Sequence, residues 1–455
     1  MSKSVGRRRR VRAHLKRVNL FAAGIDVGAR SHFVAVPEDL DPTPVREFAA
    51  FTGDLHRLAD WLVALGIRTV AMESTGVYWI PLYEILEDRG LEVLLVDARH
   101  VRNVPGRKSD VLDCQWLQQL HTYGLLRGAF RPPDEMVRLR AYLRQRERLL
   151  AAAADSIRHM QKALRQMNLV LDTVVSDITG VTGMAIIRAI VAGERDAGRL
   201  AALRDRRCRA EARVIAGSLE GHYREEHLFE LGQALERYDF LGGQIAACEQ
   251  AIRRQLDRVG DGEPAAPLPA RRKPKGHSKN DLSFDARPLL YRLTGVDLTE
   301  IKGMSDSTVL AVLSETGADM SAWPTEKHFA SWLALSPGTK VSGGKRLSGR
   351  TRASANRAAA AFRMAAYALA NSKSALGAFY RRLRARLGAP KAITATAHKL
   401  ARIFYRMLTT KTPFVDTGQD YYERQYRQRV TRSLKKRAAQ LGFHLVPLPS
   451  AISTA

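Results

Sequence analysis

The chain has 455 residues, 73 of them Lys or Arg and 46 Asp or Glu, so its formal net charge is +27, and its length predicts two to four domains. This excess of positive charge indicates a polyanionic partner, and a hydrophobic fraction of 45% is enough to form buried cores. No apolar run approaches the ~18–20 residues that span a bilayer, no secretory signal is expected, and three scattered cysteines exclude a disulfide framework or a zinc finger.

The first segment, residues 1–20, carries eight Lys or Arg residues and no acidic residue. Such a segment is typical of a flexible arm that contacts phosphates. A solvated, solubilising terminus has the same composition, so both interpretations stay open.

Residues 21–130 alternate between strand and helix patterns. AAGIDVGA, SHFVAVP and VREFAAF predict three strands, and DLHRLADWLVALG predicts a helix ending at Gly66. TVAMEST and LEVLLVDA predict two further strands, WIPLYEILEDRG a helix between them, and SDVLDCQWLQQLHTYG a helix after them. The order β-β-β-α-β-α-β-α predicts a mixed sheet with helices on its faces, as in ribonuclease H-like folds.

Residues 134–258 are predicted to be a helical region. Apolar residues recur at alternating steps of three and four from Leu139 to Leu171, with Arg146 as the one polar interruption. This pattern predicts a coiled coil or a long helical hairpin, with residues 184–257 as the return arm.

Three more segments follow. Residues 259–285 are rich in Pro, Gly and Lys and predict a basic linker. Residues 286–410 predict a second compact, mostly helical domain. Residues 411–455 form a basic tail in which tyrosines alternate with arginines, a composition that suits a nucleic-acid surface.

Four acidic residues fall where this topology would bring them together. Asp26 ends the first strand, Glu73 ends the fourth, and Asp110 and Asp113 share one face of the third helix. Four carboxylates in one cleft repel one another, and divalent cations relieve that repulsion. Oxygen-only ligands suit Mg²⁺ or Mn²⁺, and two such ions about 4 Å apart can clamp a phosphate. Taken singly, each residue is more often a turn, a cap or a solvated side chain.

Two glycine-containing turns mark the second half of the chain. LTEIKGMSDSTVLAVLSETG resembles a helix-hairpin-helix, in which Lys302 and Gly303 would contact a nucleic-acid backbone, although an ordinary helical turn explains it too. The turn Ser342-Gly343-Gly344-Lys345 could grip a phosphate, or present Ser342 as a nucleophile. The cations on and around this turn are Lys340, Lys345, Arg346, Arg350 and Arg352.

Five blocks in this order resemble a known family. They are GIDVGARSHFVAV, AMESTGVYW, GRKSDVLDCQWL, IKGMSDSTVLAVLSETG and LSPGTKVSGGK. Together they resemble the DEDD transposases of bacterial insertion sequences, the bridge-RNA-guided serine recombinases, over about residues 21–130 and 290–408. One departure is Ala355-Asn356, where family members often have Gly-Asn.

The resemblance implies a RuvC-like first domain whose DEDD set is Asp26, Glu73, Asp110 and Asp113, and a second domain whose Ser342 attacks DNA. It also implies Mg²⁺, DNA substrates, an element-encoded guide RNA and a dimer that becomes a tetramer. In that arrangement the acids of one protomer serve the serine of another. We expect such a protein in the bacterial cytoplasm, at the nucleoid, and not in a membrane.

Three alternatives remain at the level of sequence. A sugar-kinase or actin-like ATPase would use Asp26-Val27-Gly28 as a phosphate loop, but the second such loop and the adenosine glycines were not found. A RuvC-like junction nuclease would need the four acids but not Ser342, because water is its nucleophile. A non-catalytic nucleic-acid binding protein would need neither.

Overall fold

The computed structural model of the protein describes residues 16–96, 110–259, 267–270 and 279–446. It comprises two compact units, Met1–Arg131 and Pro132–Ala455. Most of the predicted arm at 1–20, much of the linker at 259–285 and the end of the tail at 411–455 lie outside the described residues. The finer division into domains predicted from the sequence stays a prediction.

The first unit contains a five-stranded mixed sheet with the predicted element order. Its strands are β1 (Ala22–Val27), β2 (Ser31–Ala35), β3 (Val45–Ala49), β4 (Thr69–Glu73) and β5 (Glu92–Val96), and its helices are α1 (Thr52–Ala64), α2 (Trp79–Asp88) and α3 (Asp110–Thr122). The strands lie in the order β3-β2-β1-β4-β5. The first three pair antiparallel, and β1, β4 and β5 pair parallel. The sheet is consistent with the predicted ribonuclease H-like fold.

The two faces of this sheet carry different helices, because alternate side chains of a strand point to opposite faces. On one face, Ile25 and Met72 pack with Leu58 of α1 and Leu82 of α2 in the main core. On the other face, Ala71 and Val96 pack with Leu117 of α3. The first helix pair therefore covers the face opposite to α3.

The second unit begins with a long helical hairpin. Helix α4 (Asp134–Gln166) is followed by four short helices, α5 (Leu171–Val174), α6 (Val181–Val191), α7 (Ala197–Ala202) and α8 (Ala212–Gly217), and then by α9 (Glu225–Val259). The amide of Gln255 donates to the carbonyl of Glu135, and the thiol of Cys248 donates to that of Tyr142. These contacts show that the two long helices run antiparallel, so the predicted long hairpin is confirmed. The predicted coiled coil stays a prediction. The return arm is shorter than predicted because 184–224 folds into short helices.

The polar interruption in the seam has a partner on the return helix. Arg146 Nε donates to Glu249 Oε1 at 2.7 Å, and both side chains are at most one-tenth exposed. The Arg146 guanidinium also donates to the carbonyls of Asn280 and Asp281, while Glu249 Oε2 accepts from the backbone of Ser283. A buried charge is tolerated here because its hydrogen bonds are satisfied.

Glu249→Ala is expected to destabilise the second unit by about 3–5 kcal/mol, because it leaves a buried guanidinium without its counter-charge. Chemical unfolding monitored by helical circular dichroism measures the loss. The matched control is Asp239→Ala, which removes the acid of the exposed Arg188–Asp239 pair and should cost at most about 1 kcal/mol. Equal losses in the two variants would contradict a buried, tightly coupled pair.

The remainder of the second unit is mostly helical, as predicted. Its helices are α10 (Arg287–Thr294), α11 (Asp306–Thr316), α12 (Glu326–Trp332), α13 (Arg357–Ala368), α14 (Ala375–Leu387), α15 (Ala389–Thr410) and α16 (Gly418–Gln440). A hairpin of β6 (Lys340–Ser342) and β7 (Lys345–Ser348) interrupts them. The aromatic rings of Phe329, Phe362 and Phe404 form the centre of its core. Within the described ranges, no helix is both long enough and apolar enough to cross a membrane.

Candidate active site

Asp26 and Glu73 lie on neighbouring parallel strands. Ile25 of β1 pairs with Met72 of β4, so the two acids, each one residue further on, come at the same level near the carboxyl ends of their strands. Ile25 and Met72 point into the core covered by α1 and α2. Because side chains alternate, Asp26 and Glu73 point to the opposite face, where α3 packs.

Helix α3 crosses β1 in close contact. A Cβ atom on Gly24 would lie 2.2 Å from the backbone nitrogen of Gln118 and 2.5 Å from the carbonyl oxygen of Cys114, so only glycine fits there. The side-chain amide of Gln118 donates to the carbonyl of Ala22. Glycine at position 24 thus lets the helix approach the strand that carries Asp26.

Gly24→Ala is expected to destabilise the first unit by about 1–3 kcal/mol, because α3 must move away from the sheet to admit the methyl group. It should also reduce DNA cleavage, since α3 carries Asp113. Thermal unfolding and a cleavage assay measure the two effects. Gly53→Ala is the control, because nothing lies within 4 Å of a Cβ at that helical position. An unfolding temperature as high in Gly24→Ala as in Gly53→Ala would contradict this packing.

The thiol of Cys114 lies within the electrostatic influence of two of the acids. Cys114 is fully buried and donates to the carbonyl of Val111. Its pKa is raised to about 12, mainly by burial, and the negative charges of Asp26 and Asp113 act in the same direction. The structure therefore brings Asp26 of β1 and Asp113 of α3 to the same thiol.

The fourth acid, Asp110, is described only in its backbone. Asp110 is the first residue of α3, but its side chain and residues 97–109 lie outside the described structure. Acidic residues are favourable in the first turn of a helix because of its dipole. In the described ranges, no group of three or more His, Cys, Asp or Glu side chains is arranged to hold a metal ion. The donor chemistry, carboxylate oxygens only, suits Mg²⁺ or Mn²⁺, and metal binding by this set stays a prediction.

Ser342 lies at a hairpin turn in the second unit. It ends β6 and pairs with Lys345, the first residue of β7, and its side chain is exposed. Gly343 and Gly344 between them have φ of 54° and 76°, the combination of a two-residue type I′ turn. The sequence predicts the turn but not the hairpin, whose strands are too short to show a clear alternation.

The predicted cations near this turn differ in their roles. Lys345 and Arg350 are exposed on the hairpin and just beyond it. Arg352 donates to the carbonyl of Ser331 at the end of α12, so it ties the base of the hairpin to the helical core. The side chains of Lys340 and Arg346 lie outside the described structure. Asn356, in the pair that departs from the family pattern, caps α13 by accepting from the backbone of Ala359.

The predicted helix-hairpin-helix is not confirmed. The stretch before Lys302 forms a single 3₁₀ turn, Leu298–Glu300, and the helix after it is α11, capped by Ser305. Gly303 has φ of 91°, and a Cβ atom there would lie 2.6 Å from the carbonyl oxygen of Ala365. Packing against α13 is thus sufficient to require this glycine, whereas Lys302 is exposed.

Two family models match the chain. Residues 23–169 match a transposase model for DEDD enzymes of the IS110 type. Residues 297–381 match the model of the transposase IS116/IS110/IS902 family. No curated protein matches the chain closely enough to count as a relative.

These matches define a DNA transposase, an enzyme that binds DNA and cuts and rejoins it. Together they cover about half of the 455 residues and include Asp26, Glu73, Asp113 and Ser342. The chain carries the transposase domains of the IS110 family of insertion sequences.

Proposed function

We propose that the protein cuts and rejoins DNA phosphodiesters with two groups of residues: a DEDD carboxylate set in the first unit and Ser342 in the second. The observation that carries the proposal is the placement of Asp26 and Glu73 side by side on parallel strands, with α3, the helix that carries Asp113, packed against β1. Carboxylates so concentrated in a chain of charge +27 are suited to cations rather than to DNA directly.

Two ions of Mg²⁺ or Mn²⁺ would be held by the four carboxylates, those of Asp26, Glu73, Asp110 and Asp113. Bound there, such ions supply charge neutralisation at the phosphate that is cut. The role of the chain itself is to orient these carboxylates: β1 and β4 set the level of two of them, and the first turn of α3 sets the others. The close packing of α3 on β1 supports this arrangement.

Ser342 is the proposed nucleophile. Its Oγ attacks phosphorus and loses its proton, a phosphoserine ester forms, and the departing DNA oxygen takes up a proton as a free hydroxyl. The reverse reaction with a hydroxyl from another strand rejoins the DNA and releases the serine, so the phosphoester count is conserved. Exposure of Ser342 at the end of β6 supports this role, because the two turn residues beside it are glycines without side chains. Exposed Lys345 and Arg350 would stabilise developing negative charge.

We further propose a guide RNA transcribed from the element, and a dimer that becomes a tetramer in which the acids of one protomer serve Ser342 of another. The family resemblance of the five sequence blocks supports these partners. A cytoplasmic location at the nucleoid follows from the substrate.

The test is recombination of a supercoiled plasmid that carries the element ends, with purified protein and RNA transcribed from the element flanks. Recombinant product is expected with Mg²⁺ or Mn²⁺, and none is expected with EDTA or without the RNA. Product formation in EDTA would contradict the cation set, and product formation without RNA would contradict the guide. Binding should weaken steeply with salt, because many phosphates are neutralised.

A further inference from the structure

A basic, aromatic cleft lies between α14 and α16, and all of its lining residues except Phe379 come after the last residue that a family model matches. Its volume is about 450 Å³, within the ~300–1,000 Å³ of sites that enclose a small ligand or one part of a larger one. The residues that give it chemical character are Phe379, Arg382 and Arg386 of α14 and Tyr422, Tyr426 and Arg429 of α16.

Helical spacing places these residues on two facing sides. Tyr422, Tyr426 and Arg429 follow one another at steps of four and three, which puts them on one face of α16. Arg382 and Arg386 are four apart and share a face of α14. The ring of Phe379 meets that of Tyr422 edge to face, with centroids 6.2 Å apart, so the two helices are held together at one end of the cleft.

The aromatic rings and the cations form layers. The guanidinium carbon of Arg382 lies 3.3 Å from the centroid of the Tyr426 ring and 5.8 Å from that of Tyr422. Nε of Arg382 is buried and has no hydrogen-bond acceptor among the described residues. A buried donor without an acceptor is costly, so an acceptor brought by a ligand would be stabilising.

The charge of the cleft is of one sign. Three arginines line it, and its described lining contains no acidic residue. Lys399 of α15 adds a further cation, with its Nζ 4.6 Å from the centroid of Phe379. Outside the cleft, α16 carries further cations along its length, namely Arg424, Arg427, Arg432, Lys435, Lys436 and Arg437. An extended polyanion suits these cations better than an isolated anion does, because they recur along the helix.

We propose that this cleft binds unpaired nucleotides of a nucleic-acid strand, with a base stacked against the tyrosine rings and Arg382 and the adjoining phosphates bound by Arg386 and Arg429. Single-stranded nucleic acid is bound by this combination of aromatic faces and a positive groove. A base paired within a duplex offers only its edge, so stacking on a side chain selects for an unpaired one. The cleft shares no residue with the carboxylate set or the serine turn, so its role is independent of how DNA is cut.

The proposed stacking of a base is tested on the full-length protein with Tyr426→Leu and its control Tyr421→Leu. Tyr421 is on the same helix, exposed and outside the cleft. The probes are fluorescent oligomers of about 15 nucleotides, as RNA, as single-stranded DNA and as duplex DNA of one sequence, followed by anisotropy at constant salt. Tyr426→Leu is expected to weaken binding of a single strand about tenfold. Tyr421→Leu and Tyr426→Phe should stay within about twofold, since each keeps the stacking face in the cleft.

The proposed binding of phosphates is tested by comparing Arg386→Gln with Arg384→Gln. The two arginines are two positions apart on α14 and so point to opposite sides, and both variants remove one charge. Arg386→Gln should weaken single-strand binding more and reduce the salt dependence by about one phosphate contact. If Tyr426→Leu lowers the unfolding temperature, this pair decides the proposal, because the rings stay in place.

The outcomes distinguish an RNA strand from a strand of opened DNA. A loss confined to RNA identifies an RNA ligand, and a loss shared by RNA and single-stranded DNA or confined to the DNA identifies a strand of opened DNA. Equal losses for duplex and single strands, or equal effects of each variant and its control, would overturn the proposal.

Discussion

Asp113→Asn is expected to reduce DNA cleavage and strand exchange by at least about 10³-fold, equivalent to about 4 kcal/mol of transition-state stabilisation. The substitution removes one negative charge and keeps the volume of the side chain, so α3 should retain its contact with β1. Asp113 is the described acid of α3 and lies with Asp26 close to the Cys114 thiol. Cleavage of labelled element-end DNA measures the effect.

The matched control is Asp39→Asn, which removes the same charge from an exposed turn of the same unit. It should leave cleavage unchanged. A second readout follows the cation without any reaction: Mn²⁺ should raise the unfolding temperature of the wild-type protein and of Asp39→Asn, and raise that of Asp113→Asn much less. Full activity of Asp113→Asn would favour a non-catalytic binding protein and contradict the proposed site.

Ser342→Ala is expected to abolish the covalent protein–DNA adduct and to reduce strand exchange below detection, because it deletes the only atom proposed to attack phosphorus. The type I′ turn should survive, since its geometry depends on Gly343 and Gly344. The adduct is measured by denaturing electrophoresis of labelled DNA after protein denaturation.

Ser354→Ala is the control, because Ser354 is an exposed serine in the same loop region, twelve positions further on. It should retain the adduct. If the Ser342→Ala variant still nicks DNA, and the wild-type protein forms no adduct, the enzyme is a nuclease that uses water, as a RuvC-like junction nuclease does. The two substitutions together thus separate three classes: a serine recombinase needs both residues, a water-using nuclease needs only Asp113, and a binding protein needs neither.

Local patterns were sufficient for much of the first unit. The strand that carries Asp26 and the strand that carries Glu73 were predicted in their observed order, because buried strands and amphipathic helices leave distinct periods in the sequence. The sequence also predicted helix α4. The predicted helix extends to Leu171, whereas the observed helix ends at Gln166. Helix ends are less well marked, since they depend on caps and on neighbouring elements.

Other features had no local signal. Arg146 interrupts an apolar seam, and only its pairing with Glu249 on another helix explains it. Gly24 and Gly303 are glycines because backbone of α3 and α13 lies against them. The β6–β7 hairpin is predicted only as a turn, since strands of three and four residues are too short to show a period.

By itself, the sequence determined that this protein is basic, that its first part alternates strands and helices in a ribonuclease H-like order, and that its acids fall at strand and helix ends. Composition and side-chain period are local properties, so no three-dimensional information was needed. Only the tertiary structure decided that Asp26 and Glu73 stand at one level, that α3 packs on the strand that carries Asp26, and that α14 and α16 enclose a cleft. Strand register and helix packing join residues far apart in the chain, and their energies depend on contacts that no local pattern contains.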